Sequence, residues 1–416
     1  MTTEIKARIE QIKRGEVPQG YKKTEVGIVP REWEVKKLEN IVTKLAEKAG
    51  NQKLETLSIS AGKGFVNQAE KFGKELSGKQ YVNYTVIYKG DFSYNKGNSK
   101  KYPQGCIYML KAREKAAVPN VFNSFRFNEQ IGEFYEQLFI NGAMNKQLFK
   151  YINSGVRNDG LLNLYDDDFY NCRVVIPSQA EQQKIADILT TQDKVIELKQ
   201  KLIAEKQQQK KYLMQNMLTG KKRLKGFSGE WINIKLGELF DERIERNATY
   251  LPLLAITGIK GVVPRSELDL KDNSSEDKSK YLKICIGDIG YNTMRMWQGV
   301  SAFSEYEGIV SPAYTILKPK FYINAKYFSY LFKMSDVIFM FYRFSQGLVD
   351  DTRNLKYSNF KQIKVYYPID KKEQTTIAAI LSNADREIEL LQKQLAEEKQ
   401  KKKALMQLLL TGIVRV

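Results

Sequence analysis

The sequence predicts an α/β (α+β) protein in which two similar mixed α/β domains are separated by two long helices that form an antiparallel coiled coil. The main observation is a segment that occurs twice: residues 181–220 and 373–412 align without a gap at an offset of 192 and share 23 identities in 40 pairs. Because this unit is far longer than a solenoid repeat, it indicates that a whole domain and its helix were duplicated, as a pseudo-two-fold internal repeat.

The globular regions repeat more faintly. Gly90-Asp91 matches Gly287-Asp288, and Glu32-Trp33 matches Glu230-Trp231. Stretches rich in Val, Ile, Tyr and Phe predict strands in both copies, and longer apolar stretches predict helices between them. The predicted strands include residues 81–88, 172–176 and 363–367, and the predicted helices include residues 134–152 and 325–344.

Five segments follow along the chain. We expect an N-terminal helical segment, a first domain, a long helix, a second domain and a second long helix, at residues 1–20, 21–177, 178–220, 221–368 and 369–416.

Each 40-residue segment predicts one continuous helix, because Ala, Leu, Glu, Lys and Gln dominate and neither Pro nor an internal Gly interrupts it. Apolar residues recur at alternating steps of four and three, which is the pattern of a coiled-coil seam. The residues predicted to pair the helices are Ile185, Leu189, Ile196, Ile203 and Leu213 in the first copy, and Ile377, Leu381, Ile388, Leu391, Leu395 and Leu405 in the second.

Connectivity predicts the direction of this pairing. About ten residues, 221–230, separate the first long helix from the second domain. If the domains lie at opposite ends, the helices run antiparallel over roughly 60 Å. Gly220 and Gly412 are expected just beyond the two helices. The alternative is two independent helices, each packed on its own domain.

The charge balance points to an anionic partner. The chain has 67 basic and 48 acidic residues, a net charge of +19, and such an excess is typical of nucleic-acid or anionic-membrane binding. A basic soluble protein without such a partner is the plainer alternative. No run of 18 apolar residues and no signal-peptide core occur, so we expect no membrane span, no export and a cytoplasmic location.

Residue types exclude several chemistries. The chain has no histidine, which excludes Ser-His-Asp and Cys-His nucleophile systems, histidine bases and HExxH zinc sites. Cys106, Cys172 and Cys285 share no short spacing, so neither a disulfide framework nor a zinc knuckle is expected.

Other motifs are weak. Residues 73–79 have the spacing of a phosphate-binding loop, but Gln80 stands where Ser or Thr would hold magnesium, so a basic loop is the better interpretation. The acidic clusters at 166–168 and 350–351 lack metal-ligand or nuclease spacing. No cofactor fingerprint and no amino-methylation tetrapeptide occurs, so we expect no catalytic, cofactor-binding or metal-binding residues in this chain.

The candidate DNA-binding residues follow the Gly-Asp turns, where Lys, Arg, Asn and Gln offer phosphate and base contacts. A repeated frame with diverged loops suggests two readers of different sequences. A solvated loop without a ligand is the alternative at each position. The candidates are Lys96, Asn98, Lys100, Lys101, Tyr102 and Gln104 in the first copy, Asn292, Arg295, Trp297 and Gln298 in the second, and a weaker set of Arg157, Asn158, Arg343, Gln346 and Arg353.

The ordered motifs resemble the specificity (S) subunit of type I restriction-modification systems over nearly the whole chain. Each domain ends in Pro, then Glu-Gln, then Ile-Ala-x-Ile-Leu, and each helix ends in Leu-Met-Gln-x-x-Leu-Thr-Gly. The first domain also begins with Gly-Tyr-Lys and Pro-x-x-Trp, at residues 20–22 and 30–33. Any one motif is weak, but the ordered pair of complete sets is specific.

This resemblance implies two target recognition domains that read the halves of a bipartite site in double-stranded DNA, with the helices setting the spacer. It implies a non-catalytic chain that docks two methyltransferase (M) subunits, which bind S-adenosylmethionine and methylate adenine N6. It also admits two restriction/translocase (R) subunits as partners. The alternatives are another DNA-binding coiled-coil adaptor or scaffold without a restriction role, and a stand-alone DNA enzyme.

Overall fold

The structure is a computed structural model that describes residues 2–74, 77–97, 102–152, 162–258, 261–268 and 277–416. The chain divides into two compact units: unit 1 combines residues 1–199 with 394–416, and unit 2 is residues 200–393. Each long helix therefore contributes one half to each unit.

Unit 1 contains twelve short strands and six helices among its described residues. The helices are α1 (Thr3–Lys13), α2 (Gln68–Phe72), α3 (Gly132–Ile140), α4 (Asn145–Tyr151), α5 (Asp166–Tyr170) and α6 (Gln179–Met217), the last of which continues into unit 2. The strands are β1 (Tyr21–Thr24), β2 (Gly27–Pro30), β3 (Glu34–Lys37), β4 (Val42–Lys44), β5 (Leu57–Ser60), β6 (Gly64–Asn67), β7 (Thr85–Tyr88), β8 (Phe92–Asn95), β9 (Cys106–Met109), β10 (Lys115–Val118), β11 (Asn123–Phe127) and β12 (Arg173–Ile176).

A four-stranded antiparallel sheet in the order β4-β11-β8-β9 forms the centre of unit 1. The remaining strands pair as β1-β2, β5-β6, β7-β10 and β3-β12. Stacked and edge-to-face rings of Phe92, Phe125 and Phe127 fill one side of the central sheet, and α3 packs against it through the buried Tyr135 and Phe139.

Unit 2 contains a second set of elements. The strands are β13 (Trp231–Lys235), β14 (Phe240–Glu242), β15 (Leu254–Thr257), β16 (Gly261–Pro264), β17 (Leu282–Ile284), β18 (Ile289–Asn292), β19 (Ser301–Phe303), β20 (Gly308–Val310), β21 (Tyr314–Pro319) and β22 (Lys364–Pro368). The helices are α7 (Leu236–Leu239), α8 (Ala325–Leu331), α9 (Ser335–Phe344), α10 (Tyr357–Phe360) and α11 (Lys371–Leu409), the last of which continues into unit 1.

The topology of unit 2 repeats that of unit 1. Its central sheet has the order β14-β21-β18-β19, and its smaller ladders are β15-β16, β17-β20 and β13-β22. Each small ladder has a counterpart in unit 1, whereas the hairpin β1-β2 has none among the described strands of unit 2. The predicted fold class, two similar mixed domains with two long helices, is confirmed.

The two long helices run antiparallel within each unit. In unit 1, the Nζ atom of Lys402 lies 2.6 Å from Asp193 Oδ1, and Lys199 Nζ donates to Gln394 Oε1 at 3.0 Å. In unit 2, α6 and α11 are joined by an ion pair of Lys206 with Glu387 at 2.6 Å and by one of Lys210 with Asp385. In both units, residue numbers increase along α6 while those of their partners on α11 decrease, so the helices are antiparallel.

The same aspartate also joins each helix pair to its domain. Gln137 on α3 donates Nε2 to Asp193 Oδ2 at 2.8 Å in unit 1. In unit 2, the hydroxyl of Tyr330 on α8 donates to Asp385 Oδ2 at 2.7 Å. Asp193 and Asp385 are equivalent positions of the 192-residue repeat, so the duplication preserves the carboxylate and changes only its donor.

The starts of the long helices also belong to the domain cores. Ile185 and Leu189 are buried with Met406 and Leu409 in the core of unit 1. Ile377 and Leu381 are buried in the core of unit 2, as is Leu218 just after α6. Mutual pairing and packing on the domain, which the sequence posed as alternatives, therefore occur together.

Gly220 and Gly412 both adopt φ +70°, the left-handed conformation expected beyond a helix. Thr219 and Thr411, which precede them, each donate their hydroxyl to the carbonyl four residues earlier. A Cβ on Gly412 would lie 2.4 Å from Pro30 Cγ. This position therefore combines a conformational need for glycine with a steric one.

Three predicted elements are wrong in extent. The first half of the predicted strand 81–88 is part of a 3-10 helix, Gly78–Asn83, in which Tyr81 donates its hydroxyl to the Gln52 carbonyl at 2.6 Å. The predicted helix 134–152 is interrupted between α3 and α4, because Gly142 adopts φ +77°. The predicted helix 325–344 is interrupted at Met334, which has extended backbone before α9.

We predict that Gly412→Ala destabilises unit 1 by about 2–5 kcal/mol, because a left-handed alanine costs about 1–2 kcal/mol and overpacking about 1–3 kcal/mol more. Gly226→Ala is the matched control, since its φ is +91° and nothing lies within 4 Å of an added Cβ. Urea unfolding would measure both. Equal losses for the two variants would contradict the steric part of this explanation.

Candidate nucleic-acid interface

A buried aspartate fixes the same turn in both units. Asp91 accepts the backbone N–H of Tyr88 at 2.7 Å and the Nε of Arg126 at 2.6 Å. In unit 2, Asp288 accepts a backbone N–H at 2.8 Å and the Nε of Arg243 at 2.7 Å. These bonds compensate the charge of a desolvated carboxylate and hold the start of β8 and of β18. The loops at the far ends of those strands are therefore carried by a fixed sheet.

In each unit, a described residue in or beside the first candidate set is hydrogen-bonded to a described residue that follows the second set. In unit 1, the N–H of Leu162 donates to the carbonyl of Lys96 at 3.0 Å. In unit 2, the N–H of Leu355 donates to the carbonyl of Thr293 at 2.9 Å. The accepting residue directly follows β8 in unit 1 and β18 in unit 2. The donating residue follows the weaker set of candidates in each unit, namely Arg157 and Asn158 in unit 1 and Arg343, Gln346 and Arg353 in unit 2.

Lys96 is held within unit 1. Its Nζ lies 2.7 Å from Asp166 Oδ1 and 3.3 Å from the carbonyl of Leu164, and its side chain is 15% exposed. Tyr102 and Gln104 are half-buried, and the Tyr94 hydroxyl donates to the Gln104 carbonyl at 2.8 Å. Lys96 is therefore a framework residue first. Asn98, Lys100, Lys101, Arg157 and Asn158 lie outside the described residues.

The corresponding loop of unit 2 is compact. Asn292 Oδ1 accepts the backbone N–H of Met294 at 3.0 Å, and Trp297 donates its indole N–H to the Met294 carbonyl at 3.0 Å. Met296 is fully buried and anchors the loop, whereas Arg295 and Gln298 are exposed. The loop therefore presents one guanidinium and one amide to solvent from a braced backbone.

Tyr342, which the sequence did not single out, connects two predicted site residues. The guanidinium of Arg353 lies 3.9 Å from the centre of its ring, and Arg353 Nη2 donates to its hydroxyl at 2.7 Å. The ring of Trp297 lies edge-on to Tyr342 at 6.2 Å. Arg343 and Gln346 are exposed beside this cluster. The sequence signal for Tyr342 is its position next to Arg343, a predicted site residue, on a predicted helix.

Lys333 holds the C-terminal end of the 292–299 loop through two hydrogen bonds to its backbone and to the start of β19. Its Nζ donates to the carbonyls of Gly299 and Ser301, each at 2.6 Å. Burial, together with the nearby charge of Lys210, lowers the pKa of Lys333 to about 8. Only tertiary structure brings this lysine under the loop, so no sequence motif could have identified it.

A second pair of buried carboxylates joins the start of each long helix to the segment that follows the other long helix. In unit 1, Arg415 binds Glu181 through two hydrogen bonds of 2.5 and 2.9 Å, and Trp33 donates its indole N–H to the same carboxylate at 2.9 Å. In unit 2, Arg223 binds Glu373 at 2.7 and 2.8 Å. Hydrogen bonding to these carboxylates raises the pKa of both arginines. We call these two bidentate pairs the helix clamps.

The sequence analysis did not identify the helix clamps, although the repeat contains a signal for them. An arginine follows each Leu-Thr-Gly by three residues, and Glu181 and Glu373 are equivalent positions of the repeat.

The residues predicted to pair the helices are partly or fully buried. The buried ones are Ile185, Leu189, Ile203, Ile377, Leu381 and Ile388, and the half-buried ones are Ile196, Leu213, Leu391, Leu395 and Leu405. By contrast, Leu198, Leu202 and Leu390 are exposed on the outer faces.

Within the described part of the chain, no three His, Cys, Asp or Glu side chains are grouped so that they could hold a metal ion. No helix among those residues is long and apolar enough to cross a membrane.

The comparison with known protein families agrees with the internal duplication. The family described as type I restriction modification DNA specificity domain matches the sequence twice, at residues 30–207 and 229–400. The chain belongs to this family. The two matches begin near Trp33 and Trp231, so one specificity domain with part of a long helix corresponds to each copy of the repeat.

A curated relative is the type I restriction enzyme MjaX specificity subunit of Methanocaldococcus jannaschii, which is 25% identical over 215 residues. The match covers 48% of this chain and 49% of the relative, so this specificity-domain chain spans about half the length of the curated relative.

Two solved structures share the fold. The type I restriction-modification S subunit from M. genitalium is 15% identical with a TM-score of 0.56, and the match covers 91% of this chain and 96% of that one. A chain from a structure of a type I R-M system is 16% identical with a TM-score of 0.54, covering 93% and 99%.

We predict that Arg223→Met costs about 3–5 kcal/mol of unit 2 stability, because it leaves the fully buried Glu373 carboxylate unpaired. Lys320→Met, which breaks a solvent-accessible pair with Asp241, should cost much less, because exposed ion pairs contribute little to stability. Hydrogen exchange of unit 2 peptides in urea would measure both variants. Adding Glu373→Gln to Arg223→Met should restore part of the loss, and no restoration would argue against an uncompensated charge.

The lowered pKa of Lys333 predicts that the free energy of unfolding of unit 2 depends on pH. Its pKa of about 8 lies below the ordinary 10.5, so between these values the unfolded chain binds more protons and the free energy of unfolding rises with pH. The stability of the wild type relative to Lys333→Met should therefore increase by up to about 3 kcal/mol from pH 7 to 10.5. Urea titrations across this range would test it. A constant difference would show that the ammonium is not desolvated.

Proposed function

We propose that this protein is the DNA-reading subunit of a type I restriction-modification complex and that each unit recognises one half of a bipartite site in double-stranded DNA. The observation that carries the proposal is the repeated sheet, in which a buried aspartate fixes the Gly-Asp turn and which carries loops of different composition in the two units. A frame that is kept while its loops diverge suits two readers of unlike half-sites.

The chemistry of the loops fits this role. Arg295 offers phosphate contacts or bidentate guanine readout. Gln298 offers an amide whose N–H can donate to adenine N7 while its oxygen accepts from the adenine N6 amino group. The overall charge of +19 would supply affinity that falls steeply with salt. A scaffold with incidental basic charge would instead show weak salt dependence and no sequence preference.

The paired helices would set the distance and the helical phase between the half-sites. One DNA turn is about 34–36 Å, so an error in length also rotates a reader around the duplex. The ion pairs and hydrogen bonds between α6 and α11 in both units support a stiff spacer of this kind.

The partners would be two methyltransferase subunits, with S-adenosylmethionine and the adenine chemistry on those subunits, and two restriction subunits where the system cleaves DNA. Leu198, Leu202 and Leu390, exposed on the outer faces of the long helices, are the docking residues that we propose. Such a complex acts on chromosomal DNA and therefore in the cytoplasm.

Exchange of one domain tests modular reading. We expect that replacing residues 21–176 with the equivalent segment of another family member, assayed with the cognate methyltransferase by mapping methylated adenines, changes one half-site only. Replacing residues 231–368 is the matched control and should change only the other half-site. Altered sequence preference at both half-sites after a single exchange would contradict the proposal.

A heptad deletion tests the spacer role. Residues 200–206 and 387–393 lie between the Lys199–Gln394 contact and the Lys210–Asp385 contact. Removing both segments deletes the Lys206–Glu387 ion pair but keeps the register of the contacts that remain. Seven helical residues span about 10 Å, and we expect the methylated spacer to shorten by about three base pairs.

Methylation of a library of spacer lengths would measure this effect. The control removes residues 200–206 alone, which breaks the register and should abolish methylation at every length. An unchanged spacer after the double deletion would refute the proposed spacer role.

A further inference from the structure

The most exposed apolar side chain in the described structure is Leu348, at the tip of a short loop in unit 2. Leu348 is 100% exposed and its neighbour Val349 is 59% exposed. Single exposed leucines are common on protein surfaces, so exposure alone says little. The construction of the loop and its position beside the candidate base-reading loop give Leu348 its significance.

The loop is built to hold its tip in place. Gln346 and Asn354 exchange backbone hydrogen bonds of 2.9 and 2.7 Å at its base. Gly347 adopts φ +137°, and a Cβ there would lie 2.6 Å from the carbonyl oxygen of Thr352. The hydroxyl of Thr352 accepts the N–H of Val349 at 3.3 Å and donates to its carbonyl at 2.9 Å. These contacts restrain the loop backbone, so little backbone conformational entropy remains to be lost when the tip binds.

The loop stands next to the residues proposed to read DNA. Arg353, at its end, stacks on Tyr342, which in turn contacts Trp297 of the 292–299 loop. The acidic neighbour Asp350 is engaged by Arg353 at 2.9 Å, which reduces its repulsion of phosphates. Arg343, which follows Tyr342 on α9, is exposed. The apolar tip is thus flanked by the Arg353–Asp350 ion pair and the ring of Tyr342.

We propose that Leu348 is a wedge that enters a base step of the duplex at the half-site bound by unit 2. The proposal rests on the DNA-reading function above and adds a mode of recognition to it. Apolar side chains inserted between base pairs partly unstack and kink DNA, and pyrimidine–purine steps yield most easily. Sequence preference would then arise at a step that no hydrogen bond reads.

The experiment uses the full chain with its cognate methyltransferase subunits and duplexes that carry the mapped target. 2-Aminopurine is placed in turn at each position of the unit 2 half-site and its flanks, because its fluorescence rises when it is unstacked. The wild-type complex should show at least a twofold rise at one step other than that of the methylated adenine, which the methyltransferase itself takes out of the stack. Leu348→Ala should return that step to the level of free duplex, while Leu348→Met should retain most of the signal.

Ile286→Ala is the control variant, because Ile286 is 70% exposed in the same unit on the Gly-Asp turn, at the opposite end of β18 from the reading loop. Its 2-aminopurine profile should match the wild type. Fluorescence at the other half-site should be unchanged in every variant.

The outcomes separate the wedge from the function on which it rests. Sequence-specific binding without an unstacked step in the wild type would overturn the wedge and leave the reading function intact. Absence of sequence-specific binding by the wild-type complex would overturn both. If Leu348→Ala instead weakens copurification of the methyltransferase and leaves the fluorescence profile unchanged, Leu348 is a protein contact and the wedge is wrong.

Discussion

Two buried glutamates, one in the first turn of each long helix, are the constraint on which both units depend. Glu181 and Glu373 lie among apolar core residues, where an uncompensated carboxylate would be strongly unfavourable. Each is neutralised by an arginine that follows the other long helix. The start of one helix is thereby tied to the end of its partner within a single unit. Helix pairing and domain packing are parts of one electrostatic arrangement.

The repeat separates the features that maintain the frame from the features that differ between the units. The Gly-Asp turn, the helix clamp and the aspartate between the helix pair and the domain occur in both units with equivalent carboxylates. Their partners vary in type, as when Gln137 in one unit is replaced by Tyr330 in the other. The exposed loops vary most. Buried charge therefore maintains the geometry, while solvent-exposed positions are free to acquire different specificities.

The sequence predicted what depends on local periodicity and repetition. Both long helices, their final glycines and the matching Gly-Asp turns followed from spacing alone. The tertiary partners did not, because Arg126 and Arg243 reach the turns from other strands, and Asp166 engages Lys96 across 70 residues. Tyr342 and Lys333 acquire their roles only when separate segments meet. The break at Gly142 was missed because the surrounding apolar pattern continues on both sides.

Unit 2 is continuous in sequence, whereas unit 1 is assembled from two distant segments. During synthesis, all residues of unit 2 are available before residue 394 has been made. Unit 1 must wait, because Met406 and Leu409 complete its core and Arg415 binds Glu181. Until then, the apolar start of α6 remains incompletely covered, and such surface is prone to aggregation. Residues 394–416 therefore determine when the core of unit 1 is covered and protected from aggregation.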